Sequence, residues 1–281
     1  MYNGFITFIG GVGGIVATKP VSAATGVMSW RILFFIFAGM MLLVAVMVFF
    51  TKNHPKYQEN RDHDTGGILT ELKGTAKLAV TPRFWRFAPA AVITQATYVA
   101  LNSLWIGPWL KDVGGYSPDR VTNLLLACSI SITIGYICSG SITSWLKRKF
   151  EFKVINSFLV GMWGFTLIIV LITLLPQYGF GLWAMFLLIC PFCLVAYPIF
   201  VSMFDSHLAG RVQTLFNMLV FIASTVVQSG VRIIIDQYPP AAGGGFSPEG
   251  YKTALLILAA INAASLLWYM LYRRKKNEVT Y

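Results

Sequence analysis

The sequence predicts an all-α polytopic membrane protein, a bundle of about eight transmembrane helices, and three observations predict it. The 281 residues are 56% apolar and 12% charged, whereas soluble domains run nearer a quarter charged. A hydrocarbon core about 30 Å thick demands roughly 20 apolar residues per helix. Runs of that length occur at about 4–27, 32–51, 87–110, 120–145, 154–175, 182–204, 212–235 and 252–272. Finally, lysine and arginine alternate between rich and poor connections, sixteen on one side and five on the other, with Lys19 near a helix end. A net charge of +11 would suit a nucleic-acid partner, but this placement follows the positive-inside rule instead. It puts the rich connections and both termini in the cytoplasm, with the lipid bilayer as partner and no nucleic acid.

The first run, "GFITFIGGVGGIVATKPVSAATG", pairs Gly10 with Gly14 as a small-xxx-small contact for close helix approach. No charge precedes Lys19, so a secretory signal peptide is a poor reading. Lys19 lies roughly 25 Å along its helix, at an interfacial depth. The second run, "WRILFFIFAGMMLLVAVMVFF", is bulkier and reads as lipid-facing. Residues 52–86 form a polar connection, in which "ILTELKGTAKLAV" places Ile68, Leu69, Leu72, Ala76 and Ala79 on one face. That pattern predicts a short helix lying on the cytoplasmic membrane surface.

The third run contains "TQATYVALNSLWIGPWL", with Gln95, Tyr98, Asn102, Trp105 and Trp109 at steps of three, four, three and four. Such spacing keeps them on one side of a helix. Amides facing lipid would each cost several kcal/mol, so this side predicts either a helix seam or a watery cavity. The three bulky aromatics favour the cavity, although Trp109 also suits an interfacial aromatic belt. The fourth and eighth runs open on "GYSPDR" and "GFSPEG", each with Ser as N-cap, Pro at the first helical position and an acid in the first turn. After the fourth run, "GSITSWLKRKF" reads as a short basic loop.

In the sixth run, "LLICPFCLVAYPIF", Pro191 and Pro198 stand seven apart and bend the helix; the bends are either shape alone or a hinge. Cys190 and Cys193 resemble a dithiol motif, but the thiolate such chemistry needs finds no cation or polar partner in this setting. All four cysteines fall within spans, so no disulfide framework is implied. The seventh run repeats the polar stripe with Gln213, Asn217, Ser224, Gln228 and Arg232. Arg232 either snorkels to the interface or attracts anionic solutes, and Asp236 is spaced to pair with it. None of the eleven acids lies in mid-span, and His54, His63 and His207 fall in connections. The sequence therefore points to no metal, no cofactor and no catalytic residues.

Several stretches resemble the major facilitator superfamily: "ATKPVSAATGVMSWRILFFIFAG", the long basic connection followed by six spans, "LAGRVQTLFNMLVFIASTVVQSGV", and "RFWRFAPAAVITQATYVALNSLWIGPWLKDVGGYS". The last two look like stretches of bacterial members. The loop "GSITSWLKRKF" is similar to the family's cytoplasmic gating signature. Gly140 matches its glycine, Arg148 and Lys149 fall at or beside its basic positions, and Ser144 replaces its acid. The resemblance implies that the eight runs are the fifth to twelfth helices. Residues 1–51 are then the last two helices of an N-terminal half, 52–86 the cytoplasmic linker, and 87–281 the C-terminal six-helix half with its basic tail. The first four helices would be absent, so the chain would be a fragment or would need a partner chain that supplies them.

The resemblance implies a bacterial inner-membrane permease that moves a small solute by alternating access. Gln95, Tyr98, Asn102, Trp105, Asn217 and Gln228 are the expected cavity residues; Gly140, Lys147 and Arg148 the gating loop; Pro191 and Pro198 the hinge. The alternatives are a membrane scaffold or accessory subunit without transport, and a membrane thiol oxidoreductase using Cys190 and Cys193.

Overall fold

The computed structural model describes residues 2–51, 79–150, 153–204, 208–241 and 244–272. It contains α1 (Tyr2–Val27), α2 (Trp30–Phe49), α3 (Pro82–Ala100), α4 (Ile106–Asp112), α5 (Pro118–Phe150), α6 (Val154–Leu174), α7 (Gly179–Cys193), α8 (Ala196–Ser202), α9 (Ala209–Ile235) and α10 (Pro248–Leu271). A π turn, Leu101–Trp105, joins α3 to α4, and a 3₁₀ turn, Pro176–Tyr178, precedes α7. The described residues include no strand.

All eight predicted runs are helical. Six stretches are long and apolar enough to cross a membrane: α2, α5, α6, Pro176–Ser202, α9 and α10. α1 and the α3–α4 pair complete the eight as helices without joining those six. The surface helix expected around 68–79, the three histidines and the basic tail lie outside the described residues, apart from Ala79.

The chain forms a polytopic all-α bundle in which α7 packs between α5 and α6, while α3 packs on α9 and α10 and α10 reaches α6. Glycines set the closeness around α7. A methyl group at Gly135 of α5 would stand 2.5 Å from the Leu188 carbonyl, and one at Gly161 of α6 would stand 2.9 Å from Phe192 Cβ. Towards the end where α3 starts, Phe84, Phe87, Phe158, Phe200 and Phe216 form a buried ring cluster with centroids 5.0 to 5.8 Å apart. Lys147 marks this end of the bundle and Asp112 the other.

α1 lies against α5, and α2 touches the bundle through α1. Gly11 meets Thr133 and Thr18 meets the Ser129 hydroxyl at 3.2 Å, so the two helices run antiparallel. The close contact is therefore at Gly11 and not at the expected pair; Gly10 and Gly14 face open space. Leu33 is the buried residue of α2, in keeping with its lipid-facing character.

Two further expectations change. The basic stretch after the fourth run is not a loop, because α5 continues to Phe150. Lys147, Arg148 and Lys149 occupy its last turn, where cations complement the helix dipole, and Lys149 lies over the Trp145 ring at 5.2 Å. Pro118 and Pro248 do open α5 and α10 with Asp119 and Glu249 in their first turns. The Ser247 hydroxyl, however, makes no capping bond.

Candidate functional site

The five residues of the α3 stripe do not share one face. At the π turn the Ile106 N–H reaches back five residues to the Leu101 carbonyl, one more than in an α-helix. Everything beyond is thereby offset by about one residue, roughly 100°, from the extrapolated stripe. Asn102, Ser103 and Leu104 are exposed, whereas Trp105 and Trp109 are buried. Trp105 sits against Phe246 and Tyr251, with centroids 6.0 and 6.1 Å away. Trp109 packs edge-on against Trp183 at 5.8 Å and over Gly179, where any side chain would collide with its ring. Trp109 is thus a core residue and not part of an exposed aromatic belt.

Before the turn, Gln95 is 2% exposed, and its Nε2 has no hydrogen-bond partner among the described residues. The phenol of Tyr98 lies beside that of Tyr136 on α5 and close to Cys190 of α7. This joins three helices at one polar point inside the bundle. On the second stripe, Asn217 Oδ1 accepts the Tyr197 hydroxyl of α8 at 2.9 Å, and Gln228 Nε2 donates to Ser103 Oγ in the π turn at 2.9 Å. Gln213 is exposed, while the buried Ser224 bonds its own helix at the Phe221 carbonyl. Arg232 pairs with Asp236 at 2.7 Å as the spacing anticipates, and its guanidinium lies 4.5 Å over the Phe246 ring.

The two prolines enclose a break. α7 stops at Cys193 and α8 starts at Ala196. The Pro198 ring cannot coexist with a helical carbonyl four residues back, at Leu194, and supplies no N–H for it. That carbonyl accepts the Tyr197 N–H instead, at 3.1 Å. Gly140 has open space where a side chain would project, and Lys147 and Arg148 are exposed at the same end. Cys190 and Cys193 are free and fully buried. No cluster of metal-ligating residues occurs among the described residues.

Several polar positions escaped the sequence reading. Asn262 of α10, fully buried, donates to Thr97 Oγ1 of α3 at 3.0 Å. Asp112 accepts the Phe246 N–H at 3.1 Å and the Tyr251 hydroxyl at 3.2 Å. It thereby ties the start of α10, and the turn at Gly245 whose φ is +100°, to the end of α4. A hollow of about 480 Å³ opens there, lined by Gly107, Lys111, Asp112, Val121 and Phe246 among others. A second, of about 230 Å³, lies beside Trp109, Glu249 and Lys252. None of Gln95, Tyr98, Asn102 and Gln228 lines either hollow.

Compared with known families, residues 1–227 match the model of the Major Facilitator Superfamily. The match stops within α9, one residue before Gln228. No curated protein matches the chain. Six helical stretches apolar enough to span a bilayer and a family match over most of the length agree: the chain is a multi-pass membrane transporter and belongs to the major facilitator superfamily.

Proposed function

We propose that this protein moves a small solute across a bacterial inner membrane by alternating access, with the open side of α3, α5 and α9 as one wall of the solute site. Asn102 stands exposed on that wall and Tyr98 is half-buried in it, while Gln95 lies buried behind it with its Nε2 unpartnered among the described residues. Gln228 and Asn217 contribute from α9, and Trp105 backs the turn from the core. The break between Pro191 and Pro198 is the flexing point of a second wall. Gly140, Lys147 and Arg148 shape the cytoplasmic gate, and helices facing the open side, from the same polypeptide or a partner chain, close the site.

One observation carries this reading: the π turn interrupts α3 where Asn102 and Ser103 are exposed. π turns gather at functional sites, and interrupted membrane helices mark solute sites in transporters because irregular backbone at membrane depth is tolerated only beside protein or water. In membrane vesicles holding the transport-competent assembly, the double variant Gln95→Leu with Asn102→Leu is assayed against sugars, amino acids, organic anions and hydrophobic drugs. The expected result is flux reduced at least about tenfold, the worth of one or two hydrogen bonds, at unchanged expression. Wild-type flux for every transported solute would overturn the assignment.

A further inference from the structure

The Ser103 hydroxyl has one hydrogen to give and lone pairs to offer. The hydrogen goes to the Val99 carbonyl at 2.6 Å, with the Ala100 carbonyl more distant at 3.5 Å, and a lone pair receives Gln228 Nε2 from α9 at 2.9 Å. An amide N–H aimed at the oxygen leaves the hydroxyl's only hydrogen for the backbone, so the polarity of the relay is set by Gln228. A serine hydroxyl on the carbonyl four residues back competes with the backbone N–H that a regular helix would send to the same oxygen. Two residues further on the α register is lost, and the Ile106 N–H reaches the Leu101 carbonyl.

We propose that Gln228 is a positioning residue that acts through Ser103 to hold the middle of α3 in its π turn, and so decides where Asn102 and Trp105 stand. Resting on the transporter reading, the inference adds a form of regulation to the solute site. A solute carbonyl or hydroxyl that draws the Gln228 amide away frees the Ser103 hydrogen from Val99. The turn is then held less firmly and opens more often, letting the segment beyond it rotate against the segment before it. Solute binding is in this way coupled to the shape of α3 through a neutral hydrogen-bond relay.

The test is backbone hydrogen exchange of residues 101–106 in the full chain, reconstituted in phospholipid nanodiscs without solute. Ser103→Ala and Gln228→Leu should each speed exchange roughly fivefold, what one hydrogen bond of ordinary net strength allows. The double variant should be no faster than either single, because both remove the same relay. Gln228→Glu, whose carboxylate can only accept, should pull the Ser103 hydrogen off Val99 and behave like Gln228→Leu. Ser103→Thr keeps the hydroxyl and should match wild type. Exchange in α6 is the control for intact folding. Wild-type exchange in Gln228→Glu, or acceleration in the double variant equal to the product of the singles, would overturn the proposal. Since no solute is present, a relay that behaves as stated in a chain that moves nothing would sink the transport reading and leave this one standing.

Discussion

Glycine separates two residues that look alike in the sequence. Gly135 and Gly140 both lie on α5, five positions apart. Only Gly135 faces a neighbouring backbone, the Leu188 carbonyl, at a distance no side chain tolerates. Gly135→Ala should therefore cost about 1–3 kcal/mol, the usual penalty of overpacking, read as a lower unfolding midpoint in detergent. Gly140→Ala, with open space ahead of it, should leave the midpoint within about 0.5 kcal/mol of wild type. Asp112 is a second residue whose weight shows only in three dimensions. Asp112→Ala frees the Phe246 N–H and the Tyr251 hydroxyl together, and should expose the turn at 244–247 to limited proteolysis, whereas Asp112→Asn keeps an acceptor and should protect it. Spacing named Gln95, Tyr98 and Asn102 because amides and a phenol in an apolar run are conspicuous one at a time. Ser103, Asp112 and Asn262 escaped because a serine in a helix, an acid near a helix end and a lone asparagine acquire meaning only from partners 125, 134 or more residues away.

The elements were legible to the extent that apolarity draws them. Run length placed the helices, and Pro118 and Pro248 marked two starts, since their missing N–H costs nothing there. Interruptions were legible only where a covalent feature causes them. Pro198 announces the break before α8, whereas the π turn has no compositional signature. The stripe was consequently extended too far, past Asn102 to Trp105 and Trp109. Pro198→Ala restores a donor and removes the ring clash, so α7 and α8 should fuse into one helix. Slower hydrogen exchange across residues 194–202 would show it, and unchanged exchange would place the cause of the break elsewhere.

At the scale of the molecule, charge is the organising quantity. Lys147, Arg148, Lys149 and Lys153 crowd one end of the bundle, while at the other end Lys111, Arg120, Arg232 and Lys252 share their surroundings with Asp112, Asp119, Asp236 and Glu249. The positive-inside rule predicts that the first end faces the cytoplasm. Cysteines placed at Lys147 and at Asp119, both exposed, should then react with a membrane-impermeant maleimide from opposite sides of the membrane. Labelling of Lys147→Cys from outside intact cells would invert the topology. Overall class and helix number could be read from composition because a bilayer imposes one length on every span; the packing order could not, since lipid-facing and helix-facing apolar residues look the same.

The seam between α1 and α5 sets a timetable for biogenesis. Thr18 and Ser129, which meet across it, are separated by 111 positions, and a ribosome adding about 5–20 residues per second needs roughly 5–20 s to deliver the second after the first. Throughout that interval the side of α1 that packs on α5 has no α5 to meet. The neighbouring α2, with a mean hydropathy of 3.0, favours the bilayer on its own, and the flank of α1 that carries Gly11 and Thr18 stays available to any helix that arrives before α5 does.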